Sequence, residues 1–83
     1  MKEYKYALKL HSEEKYEEAY SLFLELANNN HADSQEMVAN MTYHGSGIKK
    51  NREDAFYWYE QAAKNGNVEA QYWHGRNRLE QKS

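Results

Sequence analysis

The chain contains no cysteine and no proline, and only four glycines. Without thiols there is no disulfide framework, no thiol nucleophile and no zinc–thiolate centre. Small secreted domains usually depend on such staples, so the cytoplasm is the expected location. The lack of proline and the scarcity of glycine leave little to interrupt a helix, and long helices are the expectation. No apolar run approaches the roughly 20 residues of a membrane span. The charged start, Met1-Lys2-Glu3-Tyr4-Lys5, leads into no apolar segment, so no signal peptide is expected and no membrane partner.

An excess of positive charge is missing too. The formal net charge is −2 over 83 residues. Nonspecific nucleic-acid binding needs clustered Lys and Arg to displace counterions. Lys49, Lys50 and Arg52, even joined by Arg76 and Arg78, are too few, and no nucleic acid is expected as a partner. The charge is uneven: residues 1–36 hold eight acids and four bases, whereas 37–83 hold five acids and seven bases.

What the chain does have is aromatic surface and helical periodicity. Eight Tyr, two Trp and two Phe give large buried areas per residue. That suits a domain which buries only roughly 60% of its unfolded surface. Ala19, Leu22, Phe23, Leu26 and Ala27 fall on one helical face. Ala55, Trp58, Tyr59, Ala62 and Ala63 repeat the same intervals 36 positions later. At that offset Asn30 matches Gly66, both suited to a helix C-cap, and Ser34-Gln35 matches Ala70-Gln71. The spacing predicts helices near 2–12, 14–28, 32–44, 52–64 and 68–81. Asn51 with Asp54, Asp33 with Glu36, and Asn67 are the expected N-terminal caps. The acids Glu13, Glu14, Glu17 and Glu18 fall at the expected start of the second helix, where they favour its dipole. Gly45 to Lys50 is the one long connection, with Ile48 expected to fold back onto the core. A period in this range with two helices per unit means an α-solenoid.

Motifs for chemistry are lacking. The histidines at 11, 31, 44 and 74 form no helical metal-ligand pair, so no metal site is expected. Gly45-Ser46-Gly47 follows no strand and ends in no Gly-Lys-Ser/Thr, so it is not a phosphate loop. No nucleophile–base constellation stands out, and a shallow open groove tunes pKa values poorly. Hence no catalytic residue, no cofactor and no enzymatic role are expected.

Residues 32–66 then carry a family resemblance. Gly45, Gly47 and Ile48 follow the first helix, and Ala55, Trp58-Tyr59, Ala62-Ala63 and Gly66 lie on or after the second. This pattern resembles the Sel-one-like repeats, relatives of the tetratricopeptide repeats. Val38-Ala39 stands where that family usually has Leu-Gly, and Lys49 and Asn51 stand where it has Pro and Asp. The resemblance implies an all-α fold, a right-handed α-solenoid of about two and a half helix-turn-helix repeats with five helices. The whole chain, 1–83, is then one domain: a degenerate repeat at 3–30, the clear repeat at 32–66, and a C-terminal capping helix at 67–81. His74, Asn77 and Arg78 give that last helix the polar outer face of a terminal cap.

The resemblance also implies a role in binding protein. In such repeats the first helix of each pair lines a concave face. Ser34, Met37, Val38 and Met41 are expected to face the core. The groove is then expected to present Tyr4, Leu8 and His11, then Glu36, Asn40, Tyr43 and His44, then Tyr72 and Arg76 with Leu79. Tyr and Arg are typical interface anchors. Trp58 and Trp73 are assigned to packing between repeats. Two functions remain open: an adaptor or scaffold holding a protein or peptide partner, and a dedicated inhibitor or immunity-type protein blocking one enzyme. So short an array is near the lower limit for a solenoid, and a homodimer burying leftover apolar surface is the alternative to a monomer.

Overall fold

A computed structural model of the chain describes residues 2–72. Trp73, His74, Arg76, Asn77, Arg78 and Leu79, with the body of the expected capping helix, lie outside the described residues. Four helices are complete: α1 (Lys2–Ser12), α2 (Tyr16–Asn28), α3 (Ala32–His44) and α4 (Arg52–Lys64). Residues 68–72 are also helical, and there is no strand among the described residues.

Small residues at helix-facing positions let the backbones approach. Ala7, Ala19, Ala27, Ala39, Ala55, Ala62 and Ala70 are all buried. One core cluster joins the first hairpin to α3 through Ala7, Leu10, Ala19, Phe23, Ala27, Val38 and Met41. A second joins α3, α4 and the start of the next helix through Ala39, Ala55, Tyr59, Ala62 and Ala70. Phe23 is fully buried, which stabilises the fold by roughly 1.5–3 kcal/mol relative to exposure. Trp58 packs against both clusters and so ties one hairpin to the next, as expected. Leu22, its counterpart one repeat earlier, lies on the first cluster.

The 36-residue repeat extends to individual hydrogen bonds. Gln35 Nε2 donates to the Ala27 carbonyl at 3.0 Å, and Gln71 Nε2 donates to Ala63 at 3.0 Å. Asn29 Nδ2 donates to Glu25 at 3.1 Å, and Asn65 Nδ2 to Gln61 at 3.0 Å. Asn30 and Gly66 both take positive φ just past a helix end. The following N–H groups, of His31 and Asn67, return to the Leu26 and Ala62 carbonyls at 3.2 and 2.9 Å. This is the Schellman ending, which satisfies carbonyls a helix terminus would otherwise leave open. Equivalent hairpins therefore stack as a small helical-repeat solenoid, measuring 39 × 25 × 18 Å.

Two local expectations are corrected. α2 starts at Tyr16, not near residue 14. Glu14 has φ 63 and is the left-handed residue that closes α1, with the Lys15 N–H returning to Leu10 at 2.9 Å. Glu13 and Glu14 thus sit in the turn, and only Glu17 and Glu18 occupy the first turn of α2. The N-cap of α3 is His31 rather than Asp33: its Nδ1 accepts from the Ser34 N–H at 3.3 Å. Asn51 and Asn67 cap as expected, accepting from the Asp54 and Ala70 N–H groups at 3.0 and 2.8 Å.

The connection between α3 and α4 folds back on the molecule. Gly45 and Ser46 N–H groups both donate to the Met41 carbonyl, and the Asn51 N–H donates to Thr42. Ile48 is half-buried. Gly47, at φ 75, lies flat against the first turn of α2: a Cβ there would come within 2.6 Å of the Tyr16 carbonyl carbon. The loop of the second hairpin is thereby docked on the start of the first hairpin's second helix.

Candidate interaction groove

α1 and α3 approach each other at both ends, so they run the same way. At their N-terminal ends the Tyr4 ring is 4.9 Å from His31, which precedes α3. At their C-terminal ends His11 and His44 face the same open groove of about 560 Å³. Its other walls are Tyr16, Met37, Asn40, Met41 and Ser46. Tyr16 stands at the start of α2 with its ring 5.3 Å from His11. Gly47 holds that position from behind, and Ser46 follows from the same loop. Beyond Tyr16 the surface continues into a cavity of about 390 Å³ edged by Glu14, Lys15, Glu17, Glu18 and Gly47. The groove offers imidazole, amide, hydroxyl and thioether groups, which suit hydrogen bonding and apolar contact with one ligand segment.

Three of the side chains expected in a groove meet here: His11, Asn40 and His44. Leu8 is 38% exposed on the same face of α1, one turn back from His11. The remaining expected residues are placed otherwise. Tyr4 is largely engaged in packing, edge-on to Phe23 at 5.9 Å and to His31. Tyr43 turns toward the second core cluster, with the Arg52 guanidinium 5.5 Å over its ring. Tyr72 is 72% exposed in the helical residues 68–72. Arg76 lies outside the described residues.

Met37 and Met41, expected in the core, do double duty. Met41 is buried and Met37 half-buried, yet both also line the groove. Tyr16 and Ser46 were not legible as groove residues. Tyr16 could be found from its place at a helix start beside the expected His11. Ser46 could be found only by knowing that the loop folds back.

The electrostatics concentrate at the N-terminal end of α3. Glu36 has its pKa pushed up to about 7, first by burial and then by the carboxyls of Glu69 and Asp33. A hydrogen bond from Asn67 works in the opposite direction. Asn67 also donates to Asp33 Oδ1 at 3.0 Å, so α3 and the next helix are clamped where their acids crowd. Burial, then Asp33 and Glu36, raise the Tyr4 hydroxyl pKa. Tyr59 is pushed up to about 12 by burial, then by Glu36 and Tyr43. Its hydroxyl donates to Asn40 Oδ1, anchoring that groove residue from the core side.

Among the described residues, no group of three His, Cys, Asp or Glu side chains is placed to hold a metal ion. Among them, too, no helix is long and apolar enough to cross a membrane. A comparison with curated proteins gives no match. Residues 32–67, however, match the Sel1 repeat family, whose repeats are non-catalytic protein–protein interaction modules. The match covers α3 and the glycine-bearing loop, which supply Met37, Asn40, Met41, His44 and Ser46 to the groove, and continues through α4 to the Asn67 cap. That stretch is the chain's best-defined repeat, and over residues 32–67 the chain is similar to the Sel1 repeat family.

Proposed function

We propose that the protein is an adaptor that holds a peptide or protein partner in the groove between α1 and α3. The observation that carries this reading is the convergence of His11 and His44, 33 positions apart in sequence, on one open groove floored by Met37 and Met41. Methionine side chains adapt to irregular apolar partners, and the flanking polar groups give orientation.

The test is capture of the partner by the intact chain and by His44→Glu. His44 is exposed at the end of α3, so this change alters the groove with little effect on packing. The expected result is loss of the captured partner with an unchanged helical circular-dichroism spectrum. Full retention of the partner by His44→Glu would place the binding surface elsewhere.

A further inference from the structure

We propose that the groove between α1 and α3 binds a soft monovalent metal ion, copper(I), through the thioethers of Met37 and Met41 and the imidazoles of His11 and His44. This site goes beyond the adaptor reading and does not depend on it.

The donors of α3 stand in one row. Met37, Met41 and His44 occupy positions i, i+4 and i+7 of the helix. They fall on successive turns of one face, with neighbouring Cβ atoms about 5–6 Å apart. Pairs at i, i+3 and at i, i+4 are the helical spacings from which one metal ion takes two ligands. Met41 with His44 gives the first spacing, and Met37 with Met41 the second. All three line the groove together with His11, which comes from the last turn of α1. The His11 ring is set edge-on to Tyr16 at 5.3 Å, so the aromatic neighbour holds the imidazole at the groove wall. Methionine is unbranched and flexible, which lets sulfur atoms from adjacent turns reach a common point.

The donor set selects the ion. Thioether sulfur is a soft ligand that favours copper(I), and imidazole also suits copper. Magnesium and calcium favour carboxylate oxygen, and no carboxylate is among the described residues that line this groove. Histidine spacing by itself predicts no metal, and no group of three His, Cys, Asp or Glu forms one among the described residues. The two thioethers complete the set.

The surrounding field favours a cation. His11 and His44 belong to the last turns of α1 and α3, so two negative helix ends meet at the groove. No Lys or Arg is among the described residues lining it. Beyond Tyr16, Glu14, Glu17 and Glu18 edge the adjoining cavity, where Lys15 is paired with Glu13 at 3.6 Å.

The chain has three methionines, so labelling their methyl groups with carbon-13 gives three signals. Copper(I), kept reduced with ascorbate, is titrated into the intact chain against a competing chelator of known affinity. One ion per chain is expected to bind, moving the Met37 and Met41 signals and leaving Met1 in place. Met37→Leu conserves side-chain volume, and His44→Ala changes an exposed residue, so both should keep the helical circular-dichroism spectrum. Each is expected to weaken copper(I) binding at least about tenfold, since even loss of a supporting group around a metal costs that much. Zinc(II), which gains little from thioethers, is expected to bind at least about tenfold more weakly than copper(I). No binding of copper(I), movement of the Met1 signal alone, unchanged affinity in either variant, or zinc(II) binding as tightly overturns the proposal. No partner is present in these titrations, so their failure leaves the adaptor reading standing.

Discussion

Replacing Gly47 by alanine tests the docking of the loop against α2. The added Cβ would stand 2.6 Å from the Tyr16 carbonyl carbon, 2.7 Å from Tyr16 Cβ and 2.8 Å from the Glu17 nitrogen. Carbon atoms prefer about 3.5–4.0 Å, and two of these three neighbours are helix backbone rather than the movable tip of a side chain. Overpacking of this kind costs about 1–3 kcal/mol. The φ of +75 adds roughly 1–2 kcal/mol for any residue with a Cβ. Gly47→Ala should therefore destabilise by about 2–5 kcal/mol. Gly66 is the internal control. Its φ is +99, yet no atom lies within 4 Å of a built Cβ. Only the backbone penalty applies, about 1–2 kcal/mol. A domain of this size has a stability of about 4–12 kcal/mol, and each kcal/mol moves Tm by about 4–8 °C. Thermal unfolding followed by far-ultraviolet circular dichroism resolves the two cases easily. Equal loss of Tm in Gly47→Ala and Gly66→Ala would refute the claim that the loop is seated on α2, and with it the position of Tyr16 and Ser46 in the groove.

Gln35 and Gln71 donate the same hydrogen bond one repeat apart, but Gln35 is 1% exposed and also accepts from Asn65 at 2.9 Å. Gln35→Ala is expected to cost about 2–3 kcal/mol in urea unfolding, and Gln71→Ala, at an exposed site, less than about 0.5 kcal/mol; similar costs would contradict the burial difference. Glu36 should make stability depend on pH. Its pKa is raised from 4.5 to about 7 on folding, so the folded chain holds this proton more tightly. That contribution is fully present below about pH 4.5 and declines as the pH rises to about 7. Allowing for solvent screening of a group this exposed, it amounts to on the order of 1 kcal/mol. The difference in urea stability between the parent chain and Glu36→Gln should change in that window; a difference constant with pH would remove the crowding of Glu36 by Glu69 and Asp33.

Much of the helical frame could be read from residue spacing, and the places where reading stopped have physical causes. The ends of α2 and α4 were legible because Asn30 and Gly66 are residue types that tolerate positive φ. α1 ends at Ser12 as expected, but the turn behind it was not legible, because Glu14 takes positive φ without being such a type, and its charge suggested a helix start instead. His31 as the cap of α3 was hidden by its chemistry, although Asn67 sits at the equivalent position one repeat later. In the groove, His11, Asn40 and His44 followed from helical register. Tyr4, Tyr43 and Glu36 belong to the same helices, but each leans toward a neighbour that a single helix does not reveal: Phe23 and His31, the second core cluster, and Glu69.

The amino-acid order alone determined that this chain forms repeated helical hairpins. Apolar periodicity, caps and turn residues act within a few positions of one another, and the 36-residue offset records two copies of the same local solution. Only the tertiary structure decided which side chains share the groove. That depends on how closely alanine-lined helices approach, and on Gly47 letting one loop rest on a helix thirty residues away. Contacts between distant segments arise from packing whole elements against each other, and no local pattern encodes their final separation.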